Sequence, residues 1–193
     1  VEGGQTMNPS TEDLLNAVDA VNADTVFILP NNKNIILAAE QAAQLEKEKK
    51  ILVVPSKTIP QGITALINFS PECSADENLE QMTAEMNTVK SGQITYAVRS
   101  TTVDGMAIEQ GNIMGIGDSG MLAVEKSVEE TALSSLRAMI DEDSELVTVY
   151  YGRDVSEEEA GALCEKAKAE FPSCEIECHF GGQPIYYYIL SVE

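Results

Sequence analysis

Apolar positions recur along this chain in two rhythms, and the change from one to the other divides it. In the first part, compact apolar runs alternate with helical spacing. Leu14, Leu15, Val18 and Val21 recur at helical intervals behind Ser10 or Thr11, either of which can cap the helix, and Glu12 and Asp13 complement the dipole in its first turn. Thr25–Leu29 reads as a strand covered on both faces. A helix is expected over Asn31–Glu46, a second buried strand over Ile51–Val54, and a helix over Ile59–Phe69 with Pro60 in its first turn. Strand and helix alternating at these lengths imply right-handed crossovers and a parallel sheet.

The rhythm changes after Phe69. Ser70-Pro71-Glu72-Cys73-Ser74 breaks the pattern, and Ala75–Lys90 reads as a long amphipathic helix linking two halves. Period-two alternation then appears over Gln93–Arg99, Met106–Glu109 and Ile113–Ile116, with turn chemistry at Asp104-Gly105 and Gln110-Gly111-Asn112. A helix over Val128–Ile140, a strand over Leu146–Tyr151, a helix over Ser156–Glu170 and strands over Glu175–Phe180 and Ile185–Val192 complete the chain. The expected architecture is α/β with two lobes. Residues 1–74 form a parallel α/β lobe, and residues 75–193 form an α+β lobe with a mixed or antiparallel sheet, 75–91 being the linking helix.

Composition narrows the function classes. At 193 residues, 44% hydrophobic and 23% charged, the chain is a soluble globular protein of one ordinary domain or two small ones. Its net charge of −20, from 32 acids against 12 bases, would repel a phosphate backbone or an anionic lipid surface. Nucleic acid is therefore a poor partner. The acidity serves either solubility or a docking surface for a basic partner. No apolar run is long enough to span a membrane and no start resembles a signal peptide, so a cytoplasmic location without membrane insertion is expected. The opening Val1-Glu2-Gly3-Gly4, without an initiator Met, reads as part of a longer protein.

The four cysteines, Cys73, Cys164, Cys174 and Cys178, are expected as core thiols in a reducing compartment. His179 beside Cys174 and Cys178 makes a weak metal motif. Strand alternation sends Cys174, Ile176 and Cys178 to one face and Glu175, Glu177 and His179 to the other. Gly115-Ile116-Gly117-Asp118-Ser119-Gly120 has a GxGxxG outline, but Met121–Glu125 behind it reads as a strand, so hairpin turns explain it better than a phosphate cradle. His179 is the only histidine, and no serine elbow accompanies it, so nucleophilic catalysis has no support. Asp141-Glu142-Asp143 and Glu157-Glu158-Glu159 serve as caps and solvated ends without a Mg²⁺ site. Tyr186-Tyr187-Tyr188 is an aromatic patch, with Tyr186 and Tyr188 on one strand face and Tyr187 on the other. One side belongs to the core and the other is an interface candidate.

Three polar, proline-bearing loops remain: Gly3–Thr11, Leu29–Asn34 and Val54–Gly62. The second and third follow the apolar runs, at the carboxyl ends of strands where ligands and partners dock in an open parallel sheet. Thr6, Asn8 and Ser10 in the first, Asn31, Asn32 and Lys33 in the second, and Ser56, Lys57, Thr58 and Gln61 in the third offer hydroxyl, amide and ammonium donors. Each alone could be a cap or an Asx-turn. Together they are expected to converge as a ligand- or partner-binding face.

These loops carry a resemblance. Glu2–Asp13, Leu29–Asn34 and Lys57–Gly62, with Gly92–Arg99, Asp141–Gly152 and Gly181–Tyr188, resemble the C-terminal region of the bacterial fatty-acid kinase (FakA/YloV) family of DAK2-domain proteins, and the likeness covers essentially the whole chain. It implies a DegV-like two-lobed fold, with the first strand of the first lobe lying before Val1. It also implies an ATP- and Mg²⁺-binding kinase domain elsewhere in the parent protein, with no cofactor in this fragment. The domain would bind a separate DegV-type fatty-acid carrier and present its bound carboxylate for acyl-phosphate formation. Thr6-Met7-Asn8-Pro9-Ser10 stands where DegV-type binders carry a Thr-Ser-Gln-Pro-Ser loop, and Asn31 and Asn32 stand where those binders place serines for the lipid carboxylate. The alternative is a DegV-like fatty-acid or small-anion binding module. A homodimer is compatible with either.

Overall fold

A computed structural model describes residues 8–103 and 106–193. The chain divides between Val89 and Lys90 into two compact units. The first contains α1 (Thr11–Ala20), β1 (Thr25–Ile28), α2 (Lys33–Leu45), β2 (Lys50–Val53), α3 (Ile59–Ile67) and α4 (Ala75–Met86). Strands β1 and β2 pair in parallel, Thr25 opposite Lys50 and Ile28 opposite Val53. Because side chains alternate across a strand, the pair serves two small cores. Ile28 and Val53 pack against Leu14 of α1 and Ile35, Ala39 and Ala42 of α2. Phe27 and Leu29 pack against Val54, Ala65 of α3, and Met82 and Met86 of α4. Covering on both faces is the reason these runs read as continuously apolar.

Polar groups close the ends of this unit. Helix α1 has no basic residue in its last turn, but Lys49 reaches its carboxyl end. There the Lys49 Nζ donates to the carbonyls of Val18 (2.9 Å), Asp19 (3.2 Å) and Val21 (2.5 Å). Asn78 of α4 is 1% exposed and holds the Ser70–Ser74 bend. Its Oδ1 accepts the Ser70 N–H at 2.8 Å and its Nδ2 donates to the Ser70 carbonyl at 2.8 Å.

Helix α4 departs from the expected linker. It stops at Met86 rather than running to Lys90, and its Met82 and Met86 stripe is buried with Val54 and Ala65. It therefore belongs to the first unit, and the chain divides after it rather than at Ser74.

The second unit contains β3 (Lys90–Tyr96), β4 (Thr101–Val103), β5 (Met106–Ile108), β6 (Ile113–Gly117), β7 (Gly120–Glu125), α5 (Val128–Met139), β8 (Leu146–Tyr151), α6 (Glu157–Glu170), β9 (Glu175–Phe180) and β10 (Tyr188–Val192). Six strands form a mixed sheet in the order β7-β6-β3-β10-β8-β9, antiparallel except for the β8–β9 pair. The last strand in sequence thus lies inside the sheet. Helices α5 and α6 pack on one face, burying Ala132, Leu136, Leu163 and Ala167 over Ile94, Val147, Val149 and Leu190. Gly115 admits α5 closely, since a β-carbon there would lie 1.9 Å from the Ser135 Oγ. The Gly115–Gly120 segment is the β6–β7 hairpin, as expected.

Two strands and the cysteine burial differ most from the sequence reading. Strand β3 occupies Lys90–Tyr96 rather than Gln93–Arg99. Strand β10 begins at Tyr188 rather than Ile185, because Ile185 sits at φ 73°, outside the strand region. Cys178 and Cys73 are exposed while Cys164 and Cys174 are buried, since β9 is a sheet edge and Cys73 lies in the bend before α4. The expected Asp104-Gly105 turn lies outside the described residues.

Candidate functional site

The loops after β1 and β2 are bonded to each other. Asn31 takes a left-handed conformation at φ 53°, which asparagine tolerates better than most side chains. Its backbone N–H donates to the Ser56 Oγ at 3.1 Å, and the Ser56 hydroxyl donates to the Asn31 Oδ1 at 2.8 Å. Ser56 is fully buried, so this exchange satisfies a hydroxyl that would otherwise be costly to bury. The Asn31 amide lies over the first turn of α3, where a β-carbon on Gly62 would stand 2.0 Å from the Asn31 Oδ1. Glycine is poorly suited to a helix in its own right, and close approach is its reason for being here.

Other side-chain oxygens of these loops are engaged locally as acceptors. Asn32 caps α2, its Oδ1 accepting the Asn34 N–H at 2.9 Å. Thr58 caps α3 by accepting the Gln61 N–H at 3.3 Å, and Gln61, itself buried, accepts the Lys57 N–H at 2.8 Å. Among what these two loops expose are two lysines, Lys33 and Lys57, beside Asn34 and Ile59. The helices they introduce add the same sign of field. Helices α2 and α3 have no acidic residue in their first turns. Helices α1, α4, α5 and α6 each carry at least two. The uncompensated positive ends of α2 and α3 therefore reinforce the two lysines. On a chain of net charge −20, this edge is a local reversal of sign.

The first loop is placed differently. Thr6 lies outside the described residues. Asn8 is exposed, and Ser10 is engaged in a capping box, accepting the Asp13 N–H at 3.1 Å while its own N–H donates to the Asp13 Oδ2 at 2.8 Å. That pairing holds the Asp13 carboxyl below the usual aspartate range. Thr11 hydrogen-bonds Gln41 at 3.2 Å. Gln41 lies on α2 on the order of 12 Å along the helix axis from Lys33. The described part of the first loop thus joins the flank of α2, and the expected convergence reduces to the second and third loops.

The tyrosine run is mostly structural. Tyr188 is 3% exposed in the core of the second unit, and burial pushes its hydroxyl well above the usual range. Tyr186 and Tyr187 are half-buried in the bend before β10. Tyr187 donates its N–H to the Ile94 carbonyl at 2.8 Å and packs its ring 6.3 Å from that of Tyr96. Tyr186 and Tyr187, with the exposed Tyr96, keep the interface possibility that Tyr188 does not have.

Ser56 and Gly62 were the residues whose roles the sequence concealed. Ser56 reads as one more exposed donor, whereas it is the buried pin between two loops. A glycine in the first turn of a strongly apolar helix was the available signal for Gly62. Chemically, the edge is cationic and is hydrogen-bonded across its two loops. Among the described residues no group of His, Cys, Asp and Glu is arranged to hold a metal ion.

The model of the fatty acid kinase FakA-like C-terminal family matches residues 1–193. Protein YloV of Bacillus subtilis (strain 168) is 48% identical over 193 residues, which are 100% of this chain and 35% of that protein. An uncharacterised protein of Staphylococcus aureus (strain USA300) is 41% identical, again over 100% of this chain and 35% of its own length. The chain therefore spans about a third of the length of these curated relatives. In fold it is similar to the Streptococcus pneumoniae fatty acid kinase (Fak) B3 protein loaded with linoleic acid, with TM-score 0.65 and 15% identity over 96% of this chain and 76% of that one. It is also similar to the Bacillus subtilis fatty acid binding protein DegV, with TM-score 0.61 and 15% identity over 96% and 77% of the two chains. The dihydroxyacetone kinase of C. freundii gives TM-score 0.60 and 16% identity over 96% and 41%. The architecture is thus DegV-like, and the chain belongs to the fatty acid kinase FakA-like C-terminal family.

Proposed function

We propose that this domain is the non-catalytic docking module of a fatty-acid kinase. It holds a DegV-type fatty-acid carrier so that a DAK2 kinase domain elsewhere in the longer protein, using ATP and Mg²⁺, phosphorylates the fatty acid bound to that carrier. Family membership supports the context, and the observation that carries the docking role is the pinned edge formed by the loops after β1 and β2. Ser56, Asn31, Asn32, Thr58 and Gln61 satisfy one another or cap helices, so the edge is ordered before any partner arrives. Binding to an ordered surface avoids part of the entropy cost of association, and holding the carrier in place lowers the entropic barrier that the kinase domain's reaction must cross. Lys33 and Lys57 would meet acidic groups of the carrier, while the acidic remainder of the chain disfavours other orientations.

Calorimetry of the folded chain with a cognate fatty-acid-loaded carrier tests this reading. Saturable binding is expected, weakened about tenfold or more by K57E, with K33E adding to the effect. A folded chain that binds no carrier would overturn it.

The fold shared with a protein loaded with linoleic acid favours a second reading, in which the domain itself binds a fatty acid or small anion. The Ser56 hydroxyl and the Asn31 backbone N–H already donate within the protein, which removes these two donors from any carboxylate site. Native mass spectrometry separates the two: an acyl chain retained through purification supports the second reading, and an empty protein that binds the carrier supports the first.

A further inference from the structure

Helix α6 packs on strand β9, and each contributes a cysteine to that packing. In β9, Cys178 stands in register with Val149 of β8 and so shares its side of the sheet, the side on which Val149 is buried under the helices. Cys164 is 3% exposed in the same cluster. After burial, the neighbouring Cys178 thiol is the main influence that raises the Cys164 thiol. β9 is the sheet edge and Cys178 is exposed, so one thiol of the pair meets solvent while the other lies in the core.

We infer that Cys178 and Cys164 form a redox modification site, in which exposed Cys178 reacts with a peroxide and buried Cys164 resolves the product as a disulfide between β9 and α6. A disulfide is about 2.0 Å long, so its formation would draw the edge strand and the helix together at these two positions. Cysteine pairs of this kind in reducing compartments are usually transient and sensory. The other two thiols do not compete. The buried Cys174 donates to the Ser144 carbonyl at 3.2 Å, and Cys73 lies in the first unit.

The chemistry balances with hydrogen peroxide as oxidant. The Cys178 thiolate attacks one peroxide oxygen; an S–O bond forms, the O–O bond breaks, and hydroxide leaves to be protonated to water. The sulfur, oxidised by two electrons, is now a sulfenic acid. The Cys164 thiolate then attacks the Cys178 sulfur, the S–S bond forms, and the S–O bond breaks, with hydroxide taking up the Cys164 proton as a second water. Burial, the neighbouring Cys178 thiol and the charge of Glu165 push Cys164 up to about 12, against the pull of Lys168 one turn beyond it on α6. From β10, Tyr188 faces the same pair. Resolution is therefore the slow step at neutral pH and should accelerate about tenfold per pH unit.

The test treats the whole chain with hydrogen peroxide and maps peptides without reduction. The expected result is one linked pair, Cys164 with Cys178, that dithiothreitol reverses and that C73S retains. In C164A the link disappears and dimedone traps Cys178 as its sulfenic acid. C178S changes an exposed thiol, leaves the core intact, and should lose the link equally, so the test survives a C164A variant that fails to fold. Overoxidation of Cys178 without any link to Cys164, at neutral or alkaline pH, would overturn the site, as would a peroxide-induced bond that joins Cys178 only to Cys73 of another chain.

Discussion

The second unit gathers its apolar side chains into one continuous cluster beneath two helices, whereas the first divides them between two small clusters on opposite faces of a two-stranded pair. Both units also bury polar side chains, and in the first these close the loops beside the small clusters. Ser56, Gln61, Thr64 and Asn78 are all buried there, and the described loops are closed by side-chain hydrogen bonds rather than by core packing. A large apolar cluster tolerates change at most positions because many neighbours share each contact. A buried polar pair does not, since removing one partner strands the other. The candidate edge is thus built where single atoms matter most, which suits a surface that must hold one shape.

The largest effect expected from breaking this contrast lies in the second unit. Leu190 is 0% exposed on β10, between β3 and β8. Leu190→Ala should cost about 2–5 kcal/mol, read by chemical denaturation. Carrier binding measured well below the unfolding midpoint should change little, because the loops of the first unit draw nothing from that core.

In the first unit, Asn78→Ala should cost about 1–3 kcal/mol. It takes the side-chain partner from the Ser70 N–H and the Cys73 carbonyl, while the Ser70 and Ser74 carbonyls keep the N–H groups of Cys73 and residue 78. Gly62→Ala sets the new methyl against Asn31, which is half-buried and can swing outward. Its stability cost should lie near the lower end of about 1–3 kcal/mol. Its effect on carrier affinity should exceed that of Leu190→Ala, because the pinned edge is what it disturbs. Equal affinity for Gly62→Ala and the unaltered chain would show that docking does not depend on this edge.

How far these features could be read from sequence follows the same contrast. Strands Leu146–Tyr151 and Glu175–Phe180 and the helix ending at Glu170 were legible to the residue, because alternation, caps and a glutamate-rich first turn agreed. The start of β10 was not. Nothing in the apolar Ile185–Leu190 run announces that Ile185 adopts a positive φ, which follows from tertiary bonds such as the Thr95 hydroxyl donating to the Ile185 carbonyl at 3.0 Å. Sequence read the polar loops as a face and treated their hydroxyls and amides as available to a ligand. Ser56 and Asn31 are 25 positions apart, and only the parallel pairing of β1 with β2 turns two outward donors into one inward pair.

The smallest effect concerns pH and separates the helix starts. The capping-box hydroxyls of Ser10, Ser74 and Ser156 hold the carboxyls of Asp13, Glu77 and Glu159 below their ordinary values. A carboxyl with a lowered folded-state pKa contributes stability that is fully present above its unfolded value and is lost as pH falls through the folded one. The first turns of α1, α4 and α6 should therefore loosen on acidification below roughly pH 4. Helices α2 and α3 are capped by Asn32 and Thr58, which do not titrate there, and have no acid in their first turns, so their starts should not respond. Amide hydrogen exchange across an acid series checks this, with Ser156→Ala removing the response of α6 alone. Protection lost together at all five helix starts would mean that acid acts on the whole fold. Protection kept at α2 and α3 while α1, α4 and α6 fray would show that the helices introduced by the two pinned loops are anchored without the carboxylates the others use, leaving their positive ends open to a partner's charge.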